Sequence, residues 1–70
     1  MTESASKKIA QNIKKARLEK GLTQETLAKK AGINSNYYAK VERGEINPSL
    51  ETISKILKAL DIKSSDVLDF

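Results

Sequence analysis

The sequence predicts an all-α fold, a five-helix orthogonal bundle in a single domain. Three observations carry that expectation. Apolar residues recur three or four apart along most of the 70-residue chain, as one face of a helix requires. A glycine or a small polar residue suited to capping marks each break in that spacing. No segment alternates apolar and polar residues between turn signals, as a half-buried strand would.

Residues 1–6, "MTESAS", are small and polar. They are expected to form a flexible segment, leaving residues 7–70 as the domain. The first helix is expected to begin near Ser6 or Lys7. Ile9, Ile13, Ala16 and Arg17 share one of its faces, and Gly21 stands where a left-handed cap ends a helix. Thr23 is a good N-cap for a second helix, "QETLAKKA", whose inward residues are Leu27, Ala28 and Ala31. Gly32 breaks the chain, and Asn34 caps the third helix, "SNYYAKVER". Tyr38, Val41 and Glu42 lie on one side of that helix; Asn36, Tyr37, Lys40 and Arg43 lie towards the other. Gly44 stops it. After the loop "EINP", Ser49 caps a fourth helix with Leu50, Ile53, Ile56, Leu57 and Leu60 on a broad apolar stripe. The end, "SSDVLDF", supplies one or two last turns capped by Ser64 or Ser65.

Composition excludes several classes of function. There is no cysteine and no histidine, which removes thiol nucleophiles, histidine acid–base catalysis, disulfides and the usual zinc sites. Serines and threonines without a histidine partner read as caps and turns, and no spacing gathers the nine carboxylates around a nucleophile. No enzyme activity, metal, cofactor or small-molecule ligand is expected. No apolar run approaches a membrane span, so a cytoplasmic protein is the default. The net charge is +4. Residues 1–48 hold ten Lys/Arg against five Glu, while residues 49–70 hold three Lys against four acids. A basic front suits a polyanion, although a few extra lysines are also ordinary on a small soluble domain.

The informative unit runs from Gln24 to Val41: helix, three-residue turn, helix. Ala28 suits a close, steep helix crossing, where little more than a methyl group fits. Gly32 supplies the positive φ of a tight turn, which costs a residue with a β-carbon about 1–2 kcal/mol. Ile33 plugs the turn, and Tyr38 and Val41 anchor the second helix from behind. Such an αα-turn can present its second helix to a DNA major groove. With its flanks, "RLEKGLTQETLAKKAGI" and "YAKVERGEINPSLETISKILKAL", the chain resembles the lambda-repressor/Cro-like helix-turn-helix family. The small controller proteins of restriction–modification systems look like close relatives within it. The resemblance covers about Ile9 to Ile62.

That resemblance implies roles. Ser35, Asn36 and Lys40 match base-reading positions; asparagine pairs with adenine and lysine with guanine in the major groove. Tyr37, read as the outward one of the two tyrosines, is expected beside them to touch a thymine methyl or a phosphate, or else to cover a neighbouring apolar side chain. Gln24, Arg43 and Asn47 match phosphate-binding positions, with Gln24 also bracing the recognition helix; Thr23, the N-cap beside Gln24, is a further phosphate-binding candidate. Arg17 and Glu42 match a structural ion pair. Two departures stand out. The position of Tyr38 is usually aliphatic, so its hydroxyl is expected to reach the surface. Glu45 places an acid where many relatives are basic or polar.

Ile62, Val67, Leu68 and Phe70 either close the core or line a twofold dimer interface, and the second is the favoured expectation. The function expected is a sequence-specific transcription regulator. It would bind double-stranded DNA as a homodimer on a palindrome, with helix 35–43 in the major groove and RNA polymerase as a further contact partner. The alternative is a protein-interaction module on the same fold, such as an antitoxin or a coactivator-like bridging domain.

Overall fold

The computed structural model describes residues 5–62, and these form four α-helices: α1 (Ala5–Glu19), α2 (Gln24–Ala31), α3 (Ser35–Glu42) and α4 (Leu50–Leu60). Among the described residues there is no strand. The expected fifth helix, "SSDVLDF", lies outside them. α1 is described from Ala5, within a residue or two of the start expected near Ser6 or Lys7.

Local chemistry fixes the helix starts. The Thr23 hydroxyl accepts the Thr26 amide at 3.0 Å, and the Ser49 hydroxyl accepts the Thr52 amide at 3.1 Å. Asn34 Oδ1 accepts two amides, from Asn36 at 2.8 Å and Tyr37 at 3.1 Å. Each bond satisfies a donor that a helix start leaves without a partner. α2 ends where Gly32 turns to φ 73°, and the Ile33 amide reaches back to the Ala28 carbonyl at 3.0 Å. The corner between α2 and α3 is therefore three residues long.

The buried cluster draws on all four helices: Ile13 from α1, Leu27, Ala28 and Ala31 from α2, Tyr38 and Val41 from α3, and Ile53, Ile56, Leu57 and Leu60 from α4. α2 packs on α4, and α3 packs on both α1 and α2. Ala28 is buried, so a larger side chain there would have to push packed helices apart. Leu50 corrects the expected stripe of α4. It is 80% exposed. As the first residue of α4 its side chain leans past the helix start, where no earlier turn covers it.

Candidate nucleic-acid interface

α3 is divided along its length. Tyr38, Val41 and Glu42 are buried, while Ser35, Asn36 and Lys40 are exposed. Asn36 and Lys40 are four residues apart and so occupy one solvent-facing stripe. Tyr37 is half-buried, with its ring packed against the edge of the core. Thr23, Arg43 and Asn47 are exposed and Gln24 is half-buried.

Behind this open stripe lies a polar hub. Glu42 is 8% exposed, as is Arg17. Arg17 Nε donates to Glu42 Oε2 at 2.8 Å and Nη2 to Oε1 at 2.9 Å, a two-point match of guanidinium to carboxylate. Arg17 Nη1 donates to the Leu22 carbonyl at 2.6 Å. Gln24 Nε2 donates to Glu42 Oε1 at 3.2 Å, and the Tyr38 hydroxyl donates to Oε2. One carboxylate thus receives four donors from α1, α2 and α3. Among the described residues no buried side-chain polar atom lacks a partner.

The hub corrects the expectation for Tyr38. Its side chain is fully buried and its hydroxyl does not reach the surface. Glu42 stands one helical turn further along the same face and has lone pairs left over from Arg17. The i, i+4 spacing of Tyr38 and Glu42 puts the two within reach on one helix face, but the spacing alone does not show that the carboxylate has room for the hydroxyl.

The helix-turn-helix family model matches residues 13–68. The control protein C.BamHI of Bacillus amyloliquefaciens is 38% identical over 71 residues, covering 100% of this chain and 88% of that protein. The chain belongs to the XRE-type helix-turn-helix family. It is similar also to the transcriptional regulator SinR of Bacillus subtilis (strain 168), 39% identical over 62 residues that cover 87% of this chain. Those residues make up 56% of SinR, so the chain spans about half of that regulator. The restriction–modification controller protein C.AhdI from Aeromonas hydrophila superposes with a TM-score of 0.85 at 42% identity, over 89% of this chain and 94% of that one. The controller protein C.Esp1396I, as a tetramer with its natural 35 base-pair operator, gives a TM-score of 0.88 at 32% identity, over 97% and 90% of the two chains.

In this helix-turn-helix domain the expected residues fall into three groups. Ser35, Asn36 and Lys40 stand on the open side of α3, with Tyr37 at its margin. Thr23 and Gln24 open α2; the Thr23 hydroxyl is also bonded to that of Thr26 at 2.8 Å. Arg43 follows α3 and is paired with Glu45. Ile62 packs half-buried against the core, whereas Val67, Leu68 and Phe70 lie outside the described residues. Among the described residues no group of side chains could hold a metal ion, and no helix is long and apolar enough to cross a membrane.

The hub sets opposite shifts on its acid and its phenol. Burial pushes the Glu42 carboxyl up, but the donors from Arg17, Tyr38 and Gln24 together outweigh it and hold the group below the usual carboxylate range. Burial, then the hydrogen bond to Glu42 and after it the Glu42 charge, push the Tyr38 hydroxyl far above the ordinary tyrosine value. A lowered carboxyl stabilises the fold above its unfolded value near 4.5, and that contribution is lost as pH falls through the folded value. A raised phenol stabilises below its unfolded value near 10.0, and that contribution is lost as pH rises beyond it. Thermal midpoints should therefore form a plateau from about pH 5 to about pH 9, falling on both sides. Tyr38→Phe should cost about 1.5–3 kcal/mol of stability across the plateau, the worth of a bond to a charged group, and soften the alkaline edge. A melting series in which Tyr38→Phe keeps the whole alkaline fall would show that the hydroxyl is not its source.

Proposed function

We propose that this chain is a sequence-specific, double-stranded-DNA-binding transcription regulator of the cytoplasm. It acts as a homodimer on a palindromic operator, with 35–43 as the recognition helix in the major groove. The observation that carries this reading is the division of α3, whose Asn36 and Lys40 side are open to solvent while its opposite side is fixed in the core and the hub. A ridge held from behind and open in front has the form that groove entry needs. Asn36 and Lys40, with Ser35 and Tyr37 beside them, read base edges. Thr23, Gln24, Arg43 and Asn47 hold phosphates from the flanks. The α2 N-terminus adds backbone amides and partial positive charge to that hold.

A single recognition helix reads few base pairs. Two copies set about 34 Å apart read both halves of a palindrome. Ile62, Val67, Leu68 and Phe70 are the residues assigned to the contact between copies. Such binding regulates by occupying a promoter, or by offering RNA polymerase a surface beside it.

The direct experiment is selection from random duplex DNA followed by mapping of the enriched site. A twofold-symmetric site should emerge; enrichment of no sequence at all would overturn the reading. Gln24→Ala should then weaken binding to the enriched and to random duplexes by a similar factor, because it removes a phosphate contact and a brace without touching a base. A loss confined to one base position would instead assign Gln24 a reading role.

A further inference from the structure

Arg43 closes α3, and Gly44 at φ 74° turns the chain back over the helix end. The Gly44 amide donates to the Val41 carbonyl and the Glu45 amide to the Lys40 carbonyl, both at 3.0 Å. These bonds pin Glu45 above the last turn of the recognition helix. Its carboxylate receives Arg43 Nε, with Nη2 at 3.5 Å from the other oxygen. The two side chains are 54% and 50% exposed, so the pair sits in the open, on the surface assigned to DNA. Arg43, and more weakly the charge of Lys40, hold the Glu45 carboxyl below the usual carboxylate range. Glu45 thus stands as an anion beside two cations that the proposed function gives to DNA.

A planar carboxylate on a guanidinium fork offers what a DNA phosphate offers: two acceptor oxygens and negative charge. We infer that Glu45 is an internal phosphate mimic, which occupies Arg43 in the free protein and must be displaced before Arg43 holds the DNA backbone. The inference rests on the proposed function, since it assumes that the α3 side meets DNA. It follows from the exposure of the pair. An open ion pair is weak enough to exchange, yet it withholds one cation from every loose encounter, and once displaced it leaves an acid near the phosphates. Arg43 then contributes where docking of α3 brings a phosphate close.

The test is a cycle of the full chain: the unaltered protein, Glu45→Gln, Arg43→Ala, and the two together. Each is titrated against a short random-sequence duplex, and against an enriched site, over a range of salt. Thermal melts verify that all four fold, as substitutions at exposed positions should allow. Glu45→Gln should tighten binding about fivefold more when Arg43 is present than when it is alanine. On the random-sequence duplex, where the pair withholds Arg43, the dependence of log K on log salt should also steepen by about 0.9, the mark of one additional phosphate contact; on the enriched site, where docking already displaces Glu45, the slope should change less. Equal gains in the two backgrounds would overturn the inference, because Glu45 would then act only by repelling DNA. Binding by the unaltered protein with no coupling in the cycle refutes the mimic and leaves the proposed function standing. Failure of all four folded proteins to bind either duplex refutes both.

Discussion

Glu42→Ala is expected to cost about 3–5 kcal/mol, the penalty for stranding one partner of a buried ion pair. It leaves the Arg17 guanidinium almost wholly buried, with Nε and Nη2 facing a void, and removes the acceptor of both Tyr38 and Gln24. A domain of this length has a total stability of roughly 4–10 kcal/mol. The substitution should therefore lower the melting temperature by about 15 °C or more, or leave the chain unfolded at room temperature. Arg17→Ala should be milder, because Glu42 keeps two donors and can take up a proton. The paired change Arg17→Met with Glu42→Leu should recover part of the loss, since two apolar side chains strand no charge. Thermal melts of the four proteins decide the matter. A loss below about 1 kcal/mol for Glu42→Ala would mean that water reaches the hub and replaces its bonds.

Asn36→Ala and Lys40→Ala should do the reverse, leaving the fold intact and erasing discrimination. Both side chains are exposed, and alanine is a better helix former than asparagine, so neither change should lower the melting temperature. If each side chain makes a paired contact to a base edge, its loss should cost about 1–3 kcal/mol of preference for the enriched site. That is roughly a tenfold to hundredfold fall in the ratio of specific to random binding. Lys40→Ala should also flatten the salt dependence slightly if its ammonium lies near a phosphate. Competition between the enriched and random duplexes gives the ratio directly. A ratio unchanged in both variants would remove Asn36 and Lys40 from the reading surface.

The fold was legible where its cause is local. Thr23, Asn34 and Ser49 cap helices because a short polar side chain reaches an amide two or three residues on, and that chemistry is written in consecutive letters. Gly32 marked the corner for the same reason. What escaped was long-range or at an edge. Periodicity placed Leu50 on the apolar stripe of α4, but it cannot know that the first turn of a helix overhangs open solvent. The fate of the Tyr38 hydroxyl depended on how many lone pairs of Glu42 the other helices leave unused, which only the packed structure settles. On the open side, spacing alone set Asn36 and Lys40 four apart on a helix. Nothing local foretold that Tyr37 would rest its ring on the core, because that depends on which helix lies beside it.

The lengthwise division of α3 has an evolutionary consequence. Tyr37 apart, the residues that hold the helix in place and those that face solvent are different residues, so the buried packing of the domain does not draw on the side chains of Ser35, Asn36 or Lys40. On the proposed function, duplicated copies could drift at these three positions and acquire new targets with no intermediate that fails to fold. A lineage built on this scaffold can diversify its vocabulary while its grammar stays fixed.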